Sequence, residues 1–332
     1  MATAKKIVAV TGATGFVGRA FIQRILQEEN IEVRCLVRPD SNTRAFEPID
    51  SRVSLCVGDI TRPDTLRRAF SGAWGVVNLA GYREFWCRST EHFYDLNHRG
   101  AENVFEACLK ENVKKVVQVS TPLAYGVPEV IPFNEDSAAG EHPSHYARSK
   151  YLGDCAGWTL YQEQQLPLTI VYLAAVIGAG DDKATMEVRR AVDRKLPALV
   201  GADTTYTYVY IRDAAEAIAR ALIKKESVGR RYLIGNQRAT TREYFQLIGR
   251  IADVPIPSIN IPERYLMPMA KGMEWVSRRT GVRPVLPLDV LKTTAAGSLL
   301  FDGSRAIDEL GMRYTALEIA LAESVAEIRD AG

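Results

Sequence analysis

The chain has 332 residues, 47% of them apolar and 25% charged, the proportions of a water-soluble globular protein and more length than one ordinary core supports. A formal net charge of +2 makes no electrostatic case for nucleic acid or a membrane, and no window is long and apolar enough for a membrane span. Cys35, Cys56, Cys87, Cys108 and Cys155 are scattered, and the histidines show no ligand spacing. That argues against a disulfide frame or a metal site; His142 and His145 read as surface histidines. The N-terminus runs straight into a core strand, so no signal peptide is expected, and the location expected is cytoplasmic.

Lys6–Thr11 is a short, β-branched apolar run and reads as a buried strand. Gly12-Ala13-Thr14-Gly15-Phe16-Val17-Gly18 follows, then a helical pattern carrying Phe21, Ile25 and Leu26. Strand, glycine turn and helix in that order build a nucleotide-binding crevice. The glycines let the backbone approach a pyrophosphate, and the helix N-terminus offers it free N–H groups. The spacing is Gly-x-x-Gly-x-x-Gly, not the Gly-x-Gly-x-x-Gly of ordinary dinucleotide dehydrogenases.

Glu32–Val37 is the second strand, ending at Arg38. An acid at that point would meet the ribose 2′-hydroxyl of NAD. An arginine accommodates the 2′-phosphate of NADP, so NADP is the expected cofactor, with NAD the alternative. The third strand, Val53–Val57, leads to Asp59 at its C-terminal end, where ligands collect in open α/β sheets; a capping role for that carboxylate is the competing reading. A helix over Thr61–Phe70, a strand over Gly75–Gly81 and one long helix over Glu91–Glu111 follow. The fifth strand, Lys115–Val119, ends in Ser120-Thr121, two hydroxyls expected to face the crevice. After the loop Pro122–Ser144, Tyr146-Ala147-Arg148-Ser149-Lys150 opens a helix with Tyr and Lys on one face.

The sixth strand is Leu168–Ala174. Beyond Ala184 the strict alternation weakens: a helix near Ala184–Lys195, a strand over Thr205–Ile211, a helix over Asp213–Ile223 and a strand over Arg231–Ile234. The expected organisation is a doubly wound α/β domain over residues 1–175, with parts of 205–235 returning to it, and a smaller, mostly helical substrate lobe over 176–332. Arg264–Arg279 mixes Leu, Met and Trp with basic residues. It reads as a lobe helix with a solvated basic face in preference to a membrane-surface helix.

Turn, hydroxyls and the Tyr/Lys pair together make a hydride-transfer site. A ketone that accepts hydride needs a proton on its oxygen. A tyrosine supplies it if its pKa, near 10 in water, is lowered by an ammonium such as Lys150, and Thr121 can polarise the same oxygen.

Gly12–Gly18, Asp59, Asn78-Leu79-Ala80-Gly81, Ser120-Thr121 and Tyr146…Lys150 resemble the extended short-chain dehydrogenase/reductases, the NAD-dependent epimerase/dehydratase superfamily. Asp95–Asn103 and Tyr208–Ala215 are similar to two further segments of that family. The closest look is to the branch of dihydroflavonol reductases, 3β-hydroxysteroid dehydrogenase-like proteins and hopanoid-associated epimerase-like proteins. The resemblance implies a Rossmann-type sheet of seven parallel strands with NAD(P) across the strand ends. Tyr146 would be the acid/base, Lys150 would also bind the nicotinamide ribose, and Thr121 falls on the catalytic Ser/Thr position. The implied cofactor contacts are Gly12, Thr14, Gly15, Phe16, Val17 and Gly18 in the turn and Arg38, Asp59 and Ile60 at the next strand ends. Leu79, Ala80, Gly81, Ser120 and Leu173 complete them, with Tyr146 and Lys150 themselves. Dimers paired through two helices are common in the family. Leu173-Ala174-Ala175 stands where many sugar-nucleotide members have Arg-Pro. An NADP-dependent oxidoreductase of an apolar carbonyl or alcohol is therefore the first reading. A sugar-nucleotide epimerase or dehydratase with retained NAD(P) is the second, and a non-catalytic dinucleotide sensor the third.

Overall fold

The computed structural model describes residues 5–44 and 50–330, and the side chains of all of these but 182–185. In chain order the first half runs β1 (Lys6–Thr11), α1 (Phe16–Ile25), β2 (Ile31–Val37), β3 (Val53–Val57), α2 (Pro63–Phe70), β4 (Gly75–Asn78), α3 (Glu91–Tyr94), α4 (Gly100–Lys110), β5 (Lys115–Ser120), α5 (His145–Gln164) and β6 (Leu168–Leu173). There follow β7 (Ala175–Ile177), α6 (Asp182–Val192), β8 (Leu199–Val200), β9 (Thr205–Tyr210), α7 (Ile211–Ile223), β10 (Arg231–Ile234), β11 (Gln237–Thr240), α8 (Thr241–Ala252) and β12 (Asn260–Ile261). Four helices close the chain: α9 (Glu263–Thr280), α10 (Leu288–Ala295), α11 (Ser304–Leu310) and α12 (Leu317–Asp330).

Seven of these strands form one sheet in the order β3-β2-β1-β4-β5-β6-β10, and every neighbouring pair is parallel. A parallel sheet is covered on both faces, so its strands carry continuous apolar runs; every residue of β6 is buried. The strand order reverses between β1 and β4. At such a reversal the connections leave to opposite faces and a crevice opens beyond the strand ends. The glycine turn after β1 and Ala80-Gly81 after β4 border it. At the same ends a row of polar side chains crosses the sheet: Thr11 donates to Asn78, and Asn78 Nδ2 donates to Gln118 Oε1 at 2.7 Å.

A second apolar cluster joins β7 and β9 of a three-stranded sheet (β11-β9-β7) to α6, α8 and α12; Tyr208, Tyr210, Tyr244 and Ile248 are among its buried members. Phe16 of the glycine turn is buried in this cluster and not in the main one. The turn is thereby packed onto both halves of the molecule.

The long helix expected over Glu91–Glu111 is interrupted. Asp95–Arg99 forms a π-helical turn, whose extra residue rotates Asn97 inward to 2% exposure. There Asn97 clamps the Tyr82 backbone at both ends, at 2.7 and 2.9 Å, and reaches Ser149 Oγ at 3.0 Å. His142 and His145 are half-buried rather than surface residues: His142 bonds the Ala124 carbonyl at 2.9 Å and His145 the Tyr94 hydroxyl at 3.0 Å. All five cysteines are free thiols. Among the described residues no helix is long and apolar enough to cross a membrane.

Candidate active site

The glycine turn is shaped by main chain against main chain. Gly12 has φ +65°, and a Cβ there would stand 2.6 Å from the Leu79 carbonyl carbon. A Cβ on Gly18 would lie 2.3 Å from the Gly12 carbonyl oxygen, and one on Gly15 3.2 Å from it. The turn, the end of β4 and the first turn of α1 therefore approach more closely than side chains allow. The first N–H groups of α1 have no side-chain cap, so they are left to what lies in front of the turn. Arg19 donates to the Thr14 carbonyl at 3.3 Å and to the Gly180 carbonyl at 3.0 Å, tying the segment after β7 against this cradle.

Ser144 caps α5 through the Ala147 N–H at 3.2 Å, and the helix then carries Tyr146, Lys150 and Asp154 at four-residue spacing. The Thr121 hydroxyl, at the end of β5, accepts the Leu123 N–H at 3.4 Å and lies close enough to the Tyr146 phenol to pull its pKa down. Burial outweighs this: although part of Tyr146 remains accessible, its surroundings push the phenol up to about 12. The cation that pulls it down is Arg83, not Lys150 as expected. Lys150, 6% exposed, is turned to the Val119 carbonyl at 2.8 Å and is itself shifted down by burial against the pull of Asp154. Arg83 is ion-paired with buried Asp181 at 2.9 Å. Phe85 stands edge-on to the Tyr146 ring, with centroids 5.5 Å apart.

A model of the NAD-dependent epimerase/dehydratase family matches residues 8–235. The chain belongs to that family. A putative dihydroflavonol 4-reductase of Synechocystis is 28% identical over 95% of this chain and 92% of its own length. The sterol demethylase protein B of Methylococcus capsulatus is 25% identical over 97% of this chain and 98% of its own. A dTDP-glucose 4,6-dehydratase from Streptomyces venezuelae, solved with NAD bound, superimposes with a TM-score of 0.79 at 22% identity, covering 98% of this chain and 97% of the other. The sheet order and parallel strands are those of the extended short-chain dehydrogenase fold.

Family members take NAD(P), and the turn fits a pyrophosphate, since the first N–H groups of α1 carry no side-chain cap and Gly15 in front of them is exposed. Around it the sequence-derived residues divide. Gly12, Thr14 and Gly15 border the open side of the turn, whereas Gly18 is buried against the Gly12 and Ala13 carbonyls, Phe16 packs inward and Val17 is half-buried. Gly81 faces Asn97, whose Oδ1 would be 2.8 Å from an added Cβ. Leu79 and Ala80 are partly buried and Leu173 is in the core. Arg38 is exposed beside Asp40 at 3.4 Å. Asp59 Oδ1 receives both the N–H and the hydroxyl of Thr61 at 2.8 Å, so its turn-capping role is in place; Ile60 is buried, its carbonyl held by Asn103 at 2.8 Å. Ser120 is buried and its hydroxyl is donated to Asp154, so only Thr121 of the two strand-end hydroxyls meets Tyr146. Among the loop aromatics, Tyr82 packs under the loop against His92 and Phe93, while Phe85 faces Tyr146.

Arg83, Asp154 and Asp181 were not singled out from sequence. The spacing Tyr146, Lys150, Asp154 was available as a signal for the second; loop charges such as Arg83 carry none. Asp154 is pushed up to about 6 by burial, against the pull of Lys150, Ser120 and Gln118. Between about pH 4 and pH 6 the folded protein keeps a proton there that the unfolded chain has lost. Stability therefore falls as pH rises through that window, by on the order of 2–3 kcal/mol. In Asp154→Asn this component of the slope is absent, as urea midpoints at pH 4.5 and 7 would record. An unchanged difference between the two pH values would refute the assignment.

Proposed function

We propose that the protein is an NADP-dependent oxidoreductase that moves a hydride between the nicotinamide and a carbonyl or secondary alcohol of apolar substrates. The observation that carries the reading is the Tyr146 phenol beside the Thr121 hydroxyl, with Lys150 buried one helical turn further on. In this reading residues 1–175, with β10 returning to their sheet, hold the dinucleotide, and residues 176–332 shape the substrate end. Gly12, Thr14 and Gly15 would hold the pyrophosphate, and Gly18 would let α1 pack close behind them. Arg38 would take the 2′-phosphate, Asp59 and Ile60 the adenine end, and Gly81, Leu173 and Lys150 the nicotinamide end. When bound, the cofactor supplies the hydride. Tyr146 Oη gives its proton to the substrate oxygen, and Thr121 orients that oxygen and the phenol together. A phenol held near 12 is protonated at neutral pH but is a weaker acid than free tyrosine, so in this reading Arg83 and Thr121 supply the pull that eases its proton off during carbonyl reduction.

The apolar substrate class is supported by Leu173-Ala174-Ala175, by Phe85 beside Tyr146, and by relatives named as a dihydroflavonol reductase and a sterol demethylase. The test is net NADPH oxidation across a panel of apolar ketones and aldehydes. The expected result is saturable consumption with at least one of them. Interconversion of a UDP- or dTDP-sugar with no net NADPH consumed would establish the epimerase reading instead. Arg38 is exposed and paired only loosely, leaving it able to meet a phosphate. Arg38→Asp is expected to weaken NADPH binding about tenfold or more and to leave NADH binding nearly unchanged, by titration of each cofactor's fluorescence. Equal affinity of the unaltered protein for both cofactors would remove Arg38 from this role.

A further inference from the structure

We infer that the outer face of α9 lies on an anionic membrane surface. Apolar positions of a lobe helix are expected to face the lobe, yet in α9 Tyr265 (66% exposed), Met269 (51%), Trp275 (58%) and Val276 (49%) point to solvent, while Ala270 and Ser277 are buried. Tyr265, Met269 and Val276 recur at helical spacing, so they form one stripe and not scattered exceptions. The exposed surface is also basic. Trp275 and Arg279 lie beside the stripe, the Arg279 guanidinium 3.6 Å from the centroid of the Trp275 ring, and Arg264, Lys271 and Arg278 are exposed on the flank about 120–160° round the helix from the stripe. The two acids of α9 are withdrawn: Glu263 is half-buried, and Glu274, 14% exposed, is paired with Arg278 at 3.1 Å.

A protein partner of ordinary interface chemistry would match such an apolar stripe with apolar groups and leave the cations at a rim. A bilayer with anionic headgroups satisfies both at once, taking the Tyr, Met, Trp and Val side chains into the headgroup boundary and meeting the Arg and Lys heads with phosphate. The molecule's net charge of +2 conceals this patch because the compensating acids lie elsewhere. The face is also coupled to the candidate active site. Arg283, just beyond α9, pairs with Glu84 at 2.9 Å, and the next residue, Phe85, touches the Tyr146 ring. One loop thus separates the proposed docking face from the proposed proton donor, a short path for an apolar substrate held in the bilayer.

Flotation of the full chain with vesicles needs neither cofactor nor turnover, so its outcome is separate from that of the hydride-transfer reading. With vesicles of phosphatidylcholine and phosphatidylglycerol the protein is expected to float. The bound fraction should fall about tenfold with phosphatidylcholine alone or in Met269→Glu/Trp275→Glu, and fall in high salt. Arg264→Gln/Lys271→Gln, which alters only exposed charges, should weaken binding without changing the thermal-unfolding midpoint; it keeps the test decisive if the first variant folds poorly. No flotation on either vesicle overturns the inference. So does binding indifferent to lipid charge, or a dimer in sedimentation equilibrium that the Met269/Trp275 variant dissociates while vesicles are ignored; the last result would assign the face to a second copy of the chain.

Discussion

Tyr146→Phe is expected to lower turnover by about 10² to 10⁴-fold and to leave dinucleotide affinity close to that of the unaltered protein. The substitution removes one oxygen and keeps the ring, so the edge-on contact with Phe85 and the packing of α5 persist. What disappears is the proton poised beside Thr121. The cradle at Gly12, Gly15 and Gly18 makes no use of the phenol, so binding and chemistry separate. Single-turnover rates and cofactor titrations on the same preparation check this. A variant that retains near-full turnover of an identified substrate would show that the proton comes from elsewhere. A variant that loses cofactor binding as well would point to a folding defect.

The second large effect belongs to Gly12. Gly12→Ala is expected to destabilise the protein by about 2–4 kcal/mol, read from urea unfolding. An alanine must adopt φ +65° and push its Cβ into the Leu79 and Ala80 backbone, 2.6–2.7 Å away. That backbone cannot yield cheaply, because the Ala80 N–H is held by Thr11 Oγ1 at 3.1 Å and the Leu79 N–H by the Thr11 carbonyl at 3.3 Å. Gly272 is the control. It lies exposed within α9 with nothing within 4 Å of an added Cβ, so Gly272→Ala should be neutral or stabilising by up to about 1 kcal/mol. Equal effects at the two positions would mean that the strain at Gly12 has been misjudged.

The parts of the site legible in the sequence are those fixed by local chemistry. A β-branched run, glycines every third residue and an amphipathic helix admit few arrangements, and Tyr146 and Lys150 four apart on a helix must share a face. Arg83 is brought near Tyr146, and Asp181 to Arg83, by loops whose paths depend on tertiary packing, so their letters carried no such signal. The π turn at Asp95–Arg99 was hidden because apolar spacing continues through it, and the packing that accompanies it is in another helix, where Gly153 admits the Asn97 carbonyl so closely that a Cβ would stand 2.2 Å from it. The short strands β7, β8, β11 and β12 are too brief for alternation to register. Ser120 was assigned to the crevice because it ends a strand beside Thr121. Successive strand residues point to opposite sides, and only one of the two hydroxyls could face that way.

The polar row across the sheet bears on how the chain finds its alignment. Thr11 is paired laterally with Asn78, and Asn78 with Gln118, in the strand register itself. These side chains are buried to within 1% of full coverage, among strands whose other residues are mostly aliphatic; Lys115 and Ser120 of β5 are further buried polar anchors, bonded to the Lys224 carbonyl and to Asp154. Moving β1, β4 or β5 by one residue would turn an amide or hydroxyl to the opposite face and strand its partner without a hydrogen bond, a loss of about 1–3 kcal/mol for each orphaned group. Aliphatic strands give collapse its driving force but little preference among offsets. Thr11, Asn78 and Gln118 add to that preference across the sheet, towards the strand ends where a misalignment would displace the glycine turn.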